Sequence, residues 1–279
     1  MTRSRAGFSL IELLVAIVVG TIVSGAMIRL IMGDLRFTGD REAWRTARQA
    51  ARSALTVLTA DLRMVETGGG ILAAAAGGQD ISIRVPYAFG VLCSTTGATS
   101  TVAILPVDSL MFAQPGHSGF AWRDEIFKTY TYVPGGLVTL GAPVGPCTTA
   151  GVTVVPGSRI VLLDGVVPPT LLKGTVFMMY RRIRYEFKAS VLMPGQTALW
   201  RTAVASGTTE EIAAPFAAGA RFRFYPDGAV NPQDAVPPLT DISGLELAFD
   251  GRSDRTPLGS SGAKVVQFAT SVFFQNQTQ

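Results

Sequence analysis

Residues 8–28 read FSLIELLVAIVVGTIVSGAMI, and the one charge among these 21 residues is Glu12. As a helix this run spans about 30 Å, the thickness of a bilayer's hydrocarbon core. Arg3 and Arg5 precede it, and Arg29, Asp34 and Arg36 follow. The positive-inside rule puts the short leader in the cytoplasm and the body on the far side. Three simpler readings compete. A buried helix of a soluble protein is seldom this long and this close to the first residue. A secretory signal has basic residues, an apolar core and small residues such as Ser24-Gly25-Ala26 for cleavage, but an acid at the head of the run is foreign to that design. A plain membrane anchor explains the length and not the glutamate. A carboxylate in a bilayer is costly and needs a partner.

The 279 residues fit one large β-rich domain. The apolar share is 48%, the charged share only 16%, and there are 30 glycines, which points to a sheet-rich body with many turns. Net charge is +4, and without Arg3 and Arg5 the remaining 22 basic residues face 20 acidic ones. No clustered basic surface for nucleic acid is evident. Cys93 and Cys147 are the two cysteines and have a single possible pairing. Outside the cytoplasm that pair can form a disulfide, which closes a loop of roughly 54 residues for about 4 kcal/mol. The alternative is two unrelated buried thiols.

Residues 40–66, DREAWRTARQAARSALTVLTADLRMVE, read as an amphipathic helix. Trp44, Ala47, Ala51, Leu55, Leu58, Leu62 and Val65 form one stripe of a 3.6-residue period. Arg45, Arg48, Arg52, Arg63 and Glu66 lie largely off it, as a solvated face or as contacts between subunits. Asp40 is an N-cap candidate, and Gly68-Gly69-Gly70 is expected to end the helix. Gly33 and Gly39 each weaken a helix by about 1 kcal/mol, so one helix from Phe8 to about Glu66 is expected, weak or interrupted around Gly33–Asp40. Beyond it the period becomes two. In RRIRYEFKAS (181–190) Ile183, Tyr185 and Phe187 face one way; in ARFRFY (220–225) Phe222 and Phe224 do. KVVQFATSVFF (264–274) sets Val266, Phe268, Val272 and Phe274 on one face. Strands between dense Pro-Gly turns, with no second helix pattern, indicate antiparallel sheet in two layers. ILAAAAGGQD (71–80) and NPQDAVPPLTD (231–241) read as flexible loops.

The stretch GFSLIELLVA (7–16) resembles the prepilin signature of type IV pilins and type II secretion pseudopilins. The resemblance implies a leader ending at Gly7, cut by a prepilin peptidase on the cytoplasmic side, and an N-methylated Phe8. It makes Glu12 the fifth residue of the mature chain, a docking charge for a neighbouring subunit's terminal amine. It implies an α+β pilin-like fold, a long N-terminal helix packed on an antiparallel head. The division is leader 1–7, membrane and assembly helix 8–32, amphipathic helix 33–66 and β-rich periplasmic head 67–279. Storage in the inner membrane and assembly with other pilins through the helix follow. LTADLRMV (58–65), YEFKA with ALWRTA (185–203) and DISGLELAF with VVQFATSVFF (241–274) are similar to minor pilins of the W type and minor pseudopilins of the J type. No such likeness covers roughly 70–175.

No catalytic motif stands out. The single histidine, His117, sits in the loop AQPGHSGFAW, with no elbow, zinc or phosphate-cradle motif nearby. Asp250 and Asp254 lack the spacing of a calcium loop and read as turn formers. No metal site and no cofactor are expected. Trp44 reads as core, and Trp122 as partly buried. The leading expectation is a non-enzymatic structural subunit that primes or caps a filament; the alternative is recognition at a filament tip, binding a surface, DNA or an exported protein through residues 70–175.

Overall fold

The computed structural model describes residues 9–112, 116–124, 129–135, 138–143, 145–165, 167–168 and 170–274. Its first element, α1 (Leu10–Leu62), is one helix of 53 residues, about 80 Å long. The interruption expected around Gly33–Asp40 does not occur. A mid-helix break would strand two new sets of unpaired amides and carbonyls, a larger penalty than two glycines. Asp40 is therefore no cap; it lies inside α1 and pairs with Lys264 at 3.3 Å. Nor does α1 run to the glycine triplet. The amides of Met64 and Val65 tighten onto the carbonyls of Asp61 and Leu62, each at 3.2 Å. That turn tucks Val65 and Glu66 inward, and both are buried.

Ala43, Ala47, Ala50, Ala51, Ala54, Leu58 and Leu62 form the buried stripe of α1. Alanines bring the strand backbone close. At Gly251 a Cβ would stand 2.2 Å from the carbonyl oxygen of Ala47. An indole has no room at that spacing, so Trp44 lies at the stripe's edge and is 42% exposed. It is not core.

The strands begin with β1 (Ile71–Ala74) and β2 (Asp80–Thr96), paired antiparallel. The stretch read as the flexible loop 71–80 is thus a hairpin. It turns at Gly77 and Gly78, both with positive φ, and Gly78 also accepts the Phe222 amide at 2.7 Å. Next come β3 (Thr99–Ile104), the short helix α2 (Pro106–Phe112), β4 (Gly119–Arg123), β5 (Tyr130–Pro134) and β6 (Val138–Pro143). The short helix α3 (Gly145–Thr149) and β7 (Arg159–Asp164) follow. At 7 and 5 residues, α2 and α3 are too short to carry a helical period, which is why the sequence reads as having no second helix. The rest are β8 (Val176–Ala189), β9 (Thr197–Ala203), β10 (Thr208–Phe216), β11 (Arg221–Pro226), β12 (Ile242–Ala248), β13 (Gly251–Arg252), β14 (Val265–Val266) and β15 (Ala269–Phe273).

The larger sheet runs β14-β13-β10-β9-β8-β2-β3-β7-β6, with β1, β4 and β5 branching from it, and the smaller runs β11-β12-β15. Residues 264–274, expected as one strand, divide between the two sheets. β14 pairs with β13 in the larger and β15 with β12 in the smaller. The alternation survives the break, since Val272 and Phe274 are buried and Phe268 packs on the core.

β2 and β8 form the spine. Ile81, Ile83, Val85, Ile183, Tyr185 and Phe187 join the core under α1. Farther along, Ala88, Leu92, Phe177 and Met179 join a second core with Phe120, Trp122, Val161 and Leu163. A bulge between Pro86 and Ala88 changes which residues of β2 point inward. Without it the apolar set would turn to the wrong face. Cys93 and Cys147 form a disulfide that ties α3 to β2. The fold is α+β, a long helix on antiparallel sheets.

Candidate functional site

The first turn of α1 is closed by its own side chains. Ser9 is the N-cap; its Oγ accepts the Glu12 amide at 3.3 Å, and its amide donates to Glu12 Oε2 at 2.9 Å. This reciprocal box needs a Ser or Thr followed three residues later by an acid, and residues 9–12 read SLIE. The signal for Ser9 is thus local and legible in these four residues. The carboxylate of Glu12 therefore lies back over the positive end of the helix.

From Leu10 to Thr38 every side chain is exposed. A helix apolar all round, as α1 is from Leu13 to Ile28, needs a core or a membrane around it, and the head covers none of that run. Among the described residues, one helix is long and apolar enough to cross a membrane, and it is α1. Gly7 and Phe8, the expected cleavage pair, lie outside the described residues. Residues 2–28 match the family model of the prokaryotic N-terminal methylation motif.

The chain carries a type IV pilin-like prepilin signal. No curated protein and no solved structure matches the chain. The signal implies processing by a prepilin peptidase, and proteins that carry it are structural, pilin-like subunits. Together with the bare apolar half of α1 it fits a single pass through the inner membrane, followed by a place in a pilus.

At its other end α1 is bound to the head by a polar network. Asp61 accepts from Tyr185 Oη at 2.5 Å and from Arg201 Nε at 3.4 Å, and Arg201 Nη1 also reaches Glu210 at 3.0 Å. Burial, and then the Asp61 charge, push the Tyr185 phenol up and keep it a donor.

Glu66 is the buried acid of this end. It lies off the apolar stripe in sequence, yet it is 3% exposed and accepts Tyr132 Oη at 2.5 Å. The Arg84 guanidinium stacks 4.1 Å over the Tyr132 ring and donates to the Gly69 carbonyl. Glu66 borders an open cavity of about 460 Å³ with Tyr130, Asp227, Asp241 and Ser243. Burial raises its carboxyl from 4.5 to about 7, against the lowering pull of Tyr132, Arg123 and Arg84. A raised folded value means the group's stability is fully present below about pH 4.5 and is lost as pH rises through 7. The loss is on the order of 3 kcal/mol. Glu66→Gln keeps an acceptor for Tyr132 and carries no charge. The melting temperature of the parent should fall from pH 5 to pH 8 while that of the variant stays nearly flat. Parallel curves would rule Glu66 out as the cause.

Elsewhere the expected loop residues have quieter roles. His117 is half-buried, with Nδ1 2.8 Å from Tyr87 Oη, so it is not the open surface-loop histidine its sequence context suggests. Trp122 is buried and stacks on both Phe120 and Phe177, which also stack on each other. Asp254 lies 3.7 Å from Arg255. Among the described residues, no group of three or more His, Cys, Asp or Glu is arranged to hold a metal.

Proposed function

We propose that this chain is a minor pilin or pseudopilin, of the W or J type, that primes or caps a type IV pilus or a type II secretion pseudopilus. The observation that carries this reading is the pairing of a prepilin signal with a helix whose first half is bare and whose first turn presents Glu12. Cleavage between Gly7 and Phe8 frees an α-amine at the edge of the hydrocarbon. In the membrane-stored monomer that amine and Glu12 are each unpaired charges in a poor solvent. Packing helix against helix lets Glu12 meet a neighbour's amine, so assembly removes a penalty that storage imposes. The head then rides outside the membrane on the second half of α1. Intact mass and the N-terminal peptide of the mature protein, taken from host membranes, test this. The expected result is an N-methylated Phe8 as first residue. A start near Ala26 or Met27 would mean ordinary secretion and end the proposal.

A second reading, recognition at the filament tip through residues 70–175, is favoured by the second core. Most of that core, the disulfide and several bare apolar side chains, including Val107 at 66% and Leu110 at 74% exposed, belong to this region. Exposed apolar clusters of this kind mark contact surfaces. Removing the disulfide separates the two readings, because it loosens this lobe and spares α1.

A further inference from the structure

On the head, several arginines meet carboxylates: Arg184 with Glu186, Arg221 and Arg223 with Asp234, Arg223 with Glu246, while among the described residues the exposed Arg159 and Arg182 stand singly. On α1 the arrangement differs. Among the described residues Arg41, Arg45, Arg48 and Arg52 form no ion pair, and all four are exposed. At about 100° per residue they fall within about 60° of one another, one ladder about 16 Å long on the face turned away from the sheet. They line a single shallow groove along the helix. Two large rings flank it, Phe37 at 54% and Trp44 at 42% exposed, with the Arg41 guanidinium 4.2 Å over Phe37. Like charges at these spacings repel, and exposed Arg and Trp side by side are the composition of a binding hot spot.

We propose that the arginine face of α1, residues 41–52, docks a neighbouring filament subunit through a row of carboxylates on a helix lying alongside. This rests on the filament-subunit reading above and names the chemistry of the partner. Charge complementarity sets the sign, and the direction of the ladder sets the shape. The rungs climb along the helix axis, with Arg41 about 13 Å and Arg52 about 30 Å beyond Met32, where the apolar half ends. A headgroup layer is only about 5–8 Å deep on each side of the hydrocarbon, so a membrane reaches at most the foot of the ladder. A helix parallel to α1, carrying acids three and four residues apart, meets every rung.

The test uses the full-length chain in its host membrane with a photo-crosslinking amino acid at Gln49, an exposed groove residue. The expected product joins the chain to another subunit with a prepilin signal, identified by mass spectrometry. Its yield should fall at least about tenfold in R45E/R48E/R52E and stay within about twofold in R45K/R48K/R52K. Changing the partner's facing carboxylates to lysine should restore the product in the Glu variant. A subunit product indifferent to charge reversal, or a product with lipid or nucleic acid alone, overturns the docking face. Phe8 processing is read in the same samples. A methylated Phe8 with a charge-indifferent product sinks only this inference, whereas an unprocessed chain sinks the filament-subunit reading beneath it.

Discussion

Glu12→Ala is expected to leave cleavage after Gly7 intact and to lower incorporation into filaments at least about tenfold. The substitution leaves the leader and the expected Gly7–Phe8 junction in place. Assembly is different on the proposed pairing, because the only acid in the apolar run then has no charge to offer a neighbour's amine. The structure adds a complication that the sequence reading did not contain. Glu12 also closes the capping box with Ser9, so an alanine removes a helix cap and a charge together. Glu12→Gln separates them. Glutamine still accepts from the Ser9 amide through its side-chain oxygen, and it carries no charge. If pairing with the amine is what counts, the Gln variant should fail as badly as the Ala variant while circular dichroism in detergent shows an unchanged helix. If the Gln variant enters filaments normally and the Ala variant does not, Glu12 acts as a cap and the docking charge is wrong. Normal entry of both variants would remove Glu12 from assembly altogether. Incorporation is measured as the variant's share of sheared filaments against its membrane pool.

The sequence announced most clearly what depends on period and solvent. The apolar run of α1, the alternation of β8 and the inward phenylalanines of β11 are each set by which face is buried, and burial writes directly into residue choice. Three misreadings have a common cause. Trp44, Glu66 and the split of residues 264–274 depend on what another element does at a distance. Alanines set the helix close to the sheet and leave the indole outside. The tight turn after Leu62 carries Glu66 inward, where Tyr132, 66 residues away, meets it. β14 pairs with β13, which crosses near Ala47, while β15 pairs with β12 in the other sheet. None of this has a local signature. The Ser9–Glu12 box does have one, four residues long, set inside an apolar run whose stronger signal is membrane burial. Asp61, Tyr185 and Arg201 lie in separate stretches of the chain, and only the fold shows that they answer one another.

Replacing both cysteines by alanine should destabilise the lobe that holds them by about 4 kcal/mol, from the chain entropy of a loop of 54 residues. Alanine is the right replacement because Cys93 and Cys147 are fully buried, and a serine there would bury an unpaired hydroxyl. Both must change, so that no free thiol is left. The melting midpoint should drop by roughly 10 °C. Where the loss appears matters more than its size. The disulfide packs with Ala103 and Ile160, and Val91, Val152 and Val154 lean on it. None of these residues belongs to the core under α1. The five residues of α3 cannot hold a helix unaided, so hydrogen exchange should quicken in α3 and in residues 150–158. The second half of α1 and β9 should keep their protection. In cells the double variant should then make normal numbers of filaments if the chain's task is priming. It should lose adhesion, uptake or export if the lobe recognises a ligand. Exchange that quickens throughout α1 and β9 as well would mean that lobe and helix open as one cooperative unit. The lobe would then be part of the scaffold, and the recognition reading would lose its independent footing.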